Sequence, residues 1–274
     1  MNALETKSLT LAYGDQVVIE NLDHCFPKGK ISVLIGSNGS GKSTLLRSLA
    51  RLLKPREGSV ILDGKAITTM STKAVARKMA LLPQSPECPE GLTVLQLVKQ
   101  GRYPYQNWMQ QWSNEDERAV KKALKTTNLE GFEERPVDSL SGGQRQRVWI
   151  AMVLAQETDT ILLDEPTTYL DLSHQLDILD LLYELNRNEG RTIIMVLHDL
   201  NLSARYADNM VVVHDKTVFA HGKPDSIITP ELVKKVFGIE CLVMKDPVYG
   251  KPLCIPCGKG RRVENENLRA VDTQ

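Results

Sequence analysis

Over its first 35 residues the chain alternates apolar and polar side chains, with Leu9, Leu11 and Tyr13, then Val17, Val18, Ile19 and Leu22 as the apolar members. A period of two predicts strands with one face buried. Ile31-Ser32-Val33-Leu34-Ile35 reads as a fully buried strand that runs into Gly36. Beyond a glycine loop, Leu45, Leu46, Leu49, Leu52 and Leu53 recur at helical spacing, and Lys54-Pro55 stops that helix. Gly58 to Gly64 reads as a short strand closed by a turn. From about 88 to 155 strand signals vanish and helical patterns with charged faces dominate, over Glu115 to Thr127 and Gln144 to Ala155. Strands resume at Thr160 to Leu163, Thr192 to Leu197 and Met210 to Val213, with a helix between the first two carrying Leu172, Leu176, Leu179, Leu182 and Leu185 on one stripe. Alternating strands and helices imply an α/β fold with a mainly parallel sheet, into which the 88–155 stretch inserts as a helical subdomain. From Gly258 onward the tail is polar and predicted to be disordered.

Composition narrows the class. Apolar residues make 42% and charged residues 25% of 274, and Lys plus Arg equals Asp plus Glu at 34 each. A zero net charge argues against a nucleic-acid partner, which calls for a basic excess or stripe. The longest apolar runs, such as Ile193 to Leu197, fall far short of the ~20 residues that cross a bilayer. Met-Asn-Ala-Leu-Glu-Thr-Lys lacks the apolar centre of a signal peptide. A cytosolic location is therefore expected, with any membrane role exercised through partners. The five cysteines (Cys25, Cys88, Cys241, Cys254, Cys257) form an odd, scattered set expected to be reduced. Cys254-Ile-Pro-Cys257 has the spacing of a metal or redox pair but lacks two further ligands at useful spacing, so unlinked thiols are expected.

Gly36-Ser37-Asn38-Gly39-Ser40-Gly41-Lys42-Ser43 matches G-x-x-x-x-G-K-[ST] between a predicted strand and a predicted helix, the context this motif requires. Glycines let successive backbone N–H groups turn inward around an anion, and the helix N-terminus at Lys42, Ser43 and Thr44 adds partial positive charge. Lys42 is expected to reach the β- and γ-phosphates of ATP, and the Ser43 hydroxyl to bind Mg²⁺. Ile161-Leu162-Leu163 delivers Asp164 and Glu165 at a strand end. In P-loop NTPases a carboxylate there binds magnesium, the role expected of Asp164. Glu165 can orient or deprotonate the attacking water. His198 ends another predicted strand, where it can meet the γ-phosphate or that water, and Gln84 ends the strand-like run Met79 to Pro83, where it can touch Mg²⁺ or water.

Leu140-Ser141-Gly142-Gly143-Gln144 leads into a helix predicted to start near Arg145, and forms a second phosphate-type cradle. One nucleotide needs one such loop. Two copies packed head to tail would give the second a purpose, each cradle capping the γ-phosphate held by the other chain.

These motifs, with Thr168-Tyr169-Leu170-Asp171, occur in the order found in ABC-transporter ATPases, and the chain resembles that family over about residues 3 to 240. The resemblance implies a P-loop NTPase core with an N-terminal antiparallel β subdomain and an inserted helical subdomain, followed by a C-terminal extension over 241–257. It implies Tyr13 stacking on adenine, Gly36 to Thr44 and Gln84 around ATP, Ser43, Gln84 and Asp164 around Mg²⁺, and Lys42, Glu165 and His198 in catalysis. Ser141, Gly142, Gly143, Gln144 and Asp171 would come from the second chain of a homodimer.

Gly101 to Tyr105, Arg145 to Ala151, His198 to Asp208 and Asp246 to Pro256 are similar to bacterial iron(III)-siderophore importers. That resemblance implies a peripheral subunit on the cytoplasmic face of the cell membrane, bound to two transmembrane permeases that work with an extracytoplasmic binding protein. An importer of heme or cobalamin, or a soluble ATPase of iron–sulfur assembly, are the competing readings. Tyr103, Tyr105, Trp108 and Trp112 lie within ten residues. Amphipathic rings favour interfaces, so the cluster suits either a permease groove or packing inside the helical lobe.

Overall fold

The computed structural model describes residues 2–107 and 112–259, so Trp108 and the 260–274 part of the polar tail lie outside the described residues. In chain order the elements are β1 (Asn2–Tyr13), β2 (Gln16–Pro27), β3 (Ile31–Ile35), α1 (Lys42–Leu49), β4 (Glu57–Leu62), β5 (Lys65–Ala66), α2 (Thr72–Ala76), β6 (Met79–Leu82), α3 (Val94–Lys99) and α4 (Asn114–Thr126). There follow α5 (Gly142–Ala155), β7 (Thr160–Asp164), α6 (Leu172–Glu189), β8 (Thr192–Val196), α7 (Leu200–Tyr206), β9 (Asn209–His214), β10 (Thr217–Gly222), α8 (Pro224–Ile227), α9 (Pro230–Phe237), β11 (Cys241–Lys245) and β12 (Pro252–Pro256).

The main sheet runs in the order β10-β9-β3-β8-β7-β6, parallel except for the β9–β10 hairpin. Its central strands are buried on both faces, which is why they read as continuous apolar runs. Side chains alternate between the faces. Ile31, Val33, Ile161, Leu163, Ile193 and Met195 join the core beneath the helices, whereas Leu34, Leu162, Ile194 and Val196 face a second core. That second core holds α1, through Leu45, Leu46 and Leu49, against the buried face of the antiparallel sheet β2-β1-β4-β5. Each buried Leu, Ile or Phe contributes about 1.5–3 kcal/mol of transfer free energy, so α1 is anchored rigidly between two sheets.

In the stretch expected to be helical, α3, α4 and α5 pack through Leu97, Val120, Ala123, Val148 and Ala151. Ser113 and Thr93 close capping boxes at the starts of α4 and α3. Two expectations are corrected. The helix after the glycine loop ends at Leu49, not at Leu53: Ala50 closes it, Arg51 turns left-handed at φ 62°, and Leu52 is left exposed. The first turn of α6 projects beyond the core, so Leu172 is exposed and only the later leucines of its stripe are buried.

The 241–257 segment folds as the hairpin β11–β12, with Cys241 and Cys254 buried on its inner face and Cys257 exposed. The cysteines are free, and the described residues contain no group of three or more ligands able to hold a metal. Burial and the neighbouring Cys241 push the Cys254 thiol up to about 12, far from a reactive thiolate. Asn201 of α7 clips the hairpin by exchanging hydrogen bonds with both backbone groups of Cys254, at 3.1 and 2.7 Å. Among the described residues no helix is long and apolar enough to cross a membrane.

Candidate nucleotide site

Four neighbouring parallel strands, β3, β8, β7 and β6, end at one edge of the sheet. The residues that follow them are the Gly36–Ser43 loop, His198, Asp164 with Glu165, and Gln84. Ligands of open α/β sheets bind outside the carboxyl ends of the strands, so topology alone brings these distant segments together. A cavity of about 520 Å³ lies there, lined among others by Asn38, Lys42, Ser43, Gln84, Glu165 and His198.

The loop is shaped by its glycines. Gly36 has φ 151°, and a Cβ on it would lie 2.2 Å from the Val213 carbonyl oxygen of β9, so no larger residue fits. Lys42 folds back to donate to the Gly36 and Ser37 carbonyls, both at 2.9 Å. Burial lowers its pKa, with Glu165 and Asp164 acting in the opposite sense. The buried Ser40 Oγ has no hydrogen-bond partner. A ring of backbone donors, a buried ammonium and an unpaired hydroxyl suit a polyphosphate.

Ser43 Oγ donates to Asp164 Oδ1 at 2.8 Å. Burial raises the Asp164 pKa against the Ser43 hydrogen bond. Two adjacent oxygen donors, one a buried carboxylate, fit a hard cation such as magnesium. Glu165 stands beside them with φ 52°. Its Oε1 lies 2.7 Å from His198 Nε2, and its Oε2 accepts from Gln84 Nε2 at 2.7 Å and Thr168 Oγ1 at 3.0 Å. Burial alone would raise the Glu165 pKa, but the His198, Thr168 and Gln84 hydrogen bonds outweigh it and hold the carboxylate below its ordinary value.

Other expected residues lie elsewhere. Tyr13 sits half exposed at the β1–β2 turn, opposite Gln16, and does not line the cavity; Val18 of β2 does. The helix after Leu140 starts at Gly142, earlier than expected, because Ser141 caps it: Ser141 Oγ accepts from the Gln144 N–H at 3.3 Å and Gln144 Oε1 from the Ser141 N–H at 3.1 Å. Ser141 and Gly142 are exposed, Gly143 is buried, and none of the four lines the cavity of its own chain. Asp171 caps α6 by accepting from the His174 N–H, an exposed position that also lies off the cavity. Thr168 and Tyr169, the latter left-handed at φ 65° and exposed, line the cavity without having been singled out for it. Their place three and four residues after the catalytic-type carboxylate is the signal that could have found them.

Residues 19–168 match the family model described as ABC transporter. The chain is 62% identical to the petrobactin import ATP-binding protein FpuD of Bacillus anthracis, over 98% of both chains. It is 61% identical to the achromobactin transport ATP-binding protein CbrD of Dickeya dadantii (strain 3937), over 98% of this chain and all of that one. Its fold superposes on a dimeric post-hydrolysis state of the ATP-binding cassette MJ0796 bound to ADP and Pi, with a TM-score of 0.71 and 31% identity over 80% of this chain and 98% of that one. With relatives of this likeness matched end to end, and the phosphate loop and paired carboxylates on one sheet edge, the chain belongs to the ABC transporter family as an ATP-binding subunit.

Proposed function

We propose that this protein is the ATPase of a bacterial importer of iron(III)-siderophore complexes, working as a homodimer beneath two permeases on the cytoplasmic face of the membrane and fed by an extracytoplasmic binding protein. The observation that carries the reading is the near-complete match to siderophore-import ATP-binding proteins by a chain that holds Lys42, Ser43, Gln84, Glu165 and His198 around one cavity.

In this reading ATP lies with its phosphates in the Gly36–Thr44 cradle and its base toward Tyr13 and Val18. Lys42 leaves the loop carbonyls to meet the β- and γ-phosphates. Ser43 Oγ and Asp164 would hold magnesium, with Gln84 at its edge; bound there, the ion neutralises charge on the phosphate oxygens. Glu165, ionised because its neighbours favour the charged form, takes the proton of the attacking water. His198 Nε2, held 2.7 Å from Glu165, orients that carboxylate and reaches toward the γ-phosphate. Ser141 to Gln144 and Asp171 lie off the cavity of their own chain, which suits them to cap the ATP of a second copy.

Deleting the gene and following uptake of ⁵⁵Fe-loaded siderophores tests the proposal. Uptake of at least one ferric siderophore should be lost and restored by the wild-type gene but not by a Lys42→Ala copy. Normal uptake of every ferric siderophore the wild type takes up, with failing iron–sulfur cluster assembly or lost heme or cobalamin uptake, would overturn the assignment.

A further inference from the structure

The start of α5 is tied to the loop that carries Glu165 within the same chain. Gln146 Nε2 donates to the Pro166 carbonyl at 2.8 Å, one residue beyond Glu165. One turn earlier, the His174 ring lies flush against the bare backbone of Gly143: a Cβ there would stand 2.2 Å from a ring carbon. His174 Nδ1 is held 2.7 Å from Asp171 Oδ1, and Gln175 Nε2 donates to the Leu170 carbonyl at 2.8 Å. Leu170 in turn reaches within 3.9 Å of where a Cβ on Gly142 would lie. Neither Gln146 nor His174 lines the cavity, and neither is needed by the chemistry above.

We infer that Gln146 and His174 are positioning residues that lock the Ser141–Gln144 loop to the Glu165–Asp171 loop of the same chain, so that the two ATP sites of a dimer close together. The inference rests on the two-chain reading of the site. In a dimer the first loop caps the nucleotide of the second copy, while the other loop carries the water-activating carboxylate of the chain's own site. Two loops joined by a side-chain hydrogen bond and an imidazole packed on glycine move as one body. Capping one ATP then fixes Glu165 at the other, and the coupling is reciprocal.

Mixed pairs of full-length chains, separated by two affinity tags, test this. In the control pair one chain carries Lys42→Ala and the other Ser141→Arg. The live site joins the intact phosphate loop of the second chain to the intact capping loop of the first. A control pair without ATPase activity overturns the two-chain reading and the linkage with it. With an active control, Gln146→Met and His174→Ala are added together to one chain or the other. Loss of one such contact is expected to change a parameter about tenfold. In the Lys42→Ala chain the pair should raise KM for ATP with kcat retained, because the cap is loosened. In the Ser141→Arg chain it should lower kcat with KM retained, because Glu165 is freed. Binding of ATP to the isolated Ser141→Arg chain, through its own intact phosphate loop, and the thermal midpoint of the Lys42→Ala chain report folding, and both should be unchanged by the added pair. No change in either placement, or an equal loss of kcat in both, would overturn the linkage while leaving the two-chain reading intact.

Discussion

At Glu165 a left-handed backbone at φ 52°, a following proline and a carboxylate with hydrogen-bonded neighbours coincide. A residue before proline is sterically restricted, and a left-handed non-glycine residue costs about 1–3 kcal/mol. The packed end of β7 and the Thr168 and Gln84 bonds hold that conformation. Glu165→Gln keeps the shape but loses proton affinity. ATP hydrolysis by the purified protein should fall about 10²–10⁴-fold, while ATP affinity measured by calorimetry stays within a few-fold. Gly36 is a sharper case: Ser40 Oγ could turn away from a methyl group there, but the Val213 carbonyl oxygen, 2.2 Å from it, is backbone and cannot yield. Gly36→Ala should abolish ATP binding and lower the thermal midpoint, the loss of stability being on the order of 1–3 kcal/mol. Lys42 and Ser43 were legible from the glycine spacing before them, and Asp164, Glu165, Gln84 and His198 because they stand at the ends of apolar runs, where strand ends declare themselves in sequence. What those side chains touch was not. The grip of Thr168 on Glu165 and of Gln146 on Pro166 depends on loop conformations that no spacing encodes.

Elements were legible where burial was complete. The runs that became β3, β7 and β8 lie in the middle of the main sheet and read as unbroken apolar stretches. The half-buried β10 and the hairpin β11–β12 went unread as strands, because Thr217 to Gly222 and Cys241 to Lys245 mix exposed and covered positions without a clean period. Also hidden was the polar centre of the helical region. Arg102, with a side chain 3% exposed, bonds Asp116 at 2.7 Å, Glu157 at 2.9 Å and the Ala155 carbonyl at 2.8 Å, and stacks on Tyr105. It joins the turn after α3 to α4 and α5. Removing one partner of a buried pair typically costs about 3–5 kcal/mol, so Arg102→Ala should lower the unfolding free energy measured by chemical denaturation by that order. The pH dependence has a definite sign. Burial would raise the Asp116 pKa, but hydrogen bonds from Arg102 and Ser113 win and depress it. A depressed carboxylate pKa contributes stability above the unfolded value, near 3.9, and loses it as pH falls through the folded value. The gap in stability between wild type and Arg102→Ala should therefore be full at pH 7 and narrow in acid below about pH 4.

For the whole molecule, force made at the nucleotide has to leave through a surface, and the aromatic cluster after α3 divides into parts that can and cannot offer one. Tyr105 is partly buried and fully engaged within the chain: its hydroxyl donates to the Gln156 carbonyl at 2.9 Å, and its ring lies between Arg77 and Arg102. Tyr103 is 69% exposed beneath the Lys73 ammonium, and Trp112 is partly exposed beneath that of Lys99. The turn carrying Tyr103 is pinned to α2 by Arg77 Nε, which donates to the Pro104 carbonyl at 3.1 Å, and by Lys73 Nζ, which donates to the Gln106 carbonyl at 2.6 Å. A large ring on a pinned turn resembles an interface anchor, whose loss typically costs about 2 kcal/mol or more of binding. Lys73 also covers that ring with a positive charge, which suits the carbonyl-rich end of a permease helix. Tyr103→Ala with Trp112→Ala should weaken permease co-purification and cut siderophore uptake by about thirtyfold, the equivalent of that anchor energy. ATP affinity should be untouched, because neither ring lines the nucleotide cavity. If uptake in cells expressing the double variant stays at the wild-type rate, the permease docks on another face, and these rings serve only to pack the helical region.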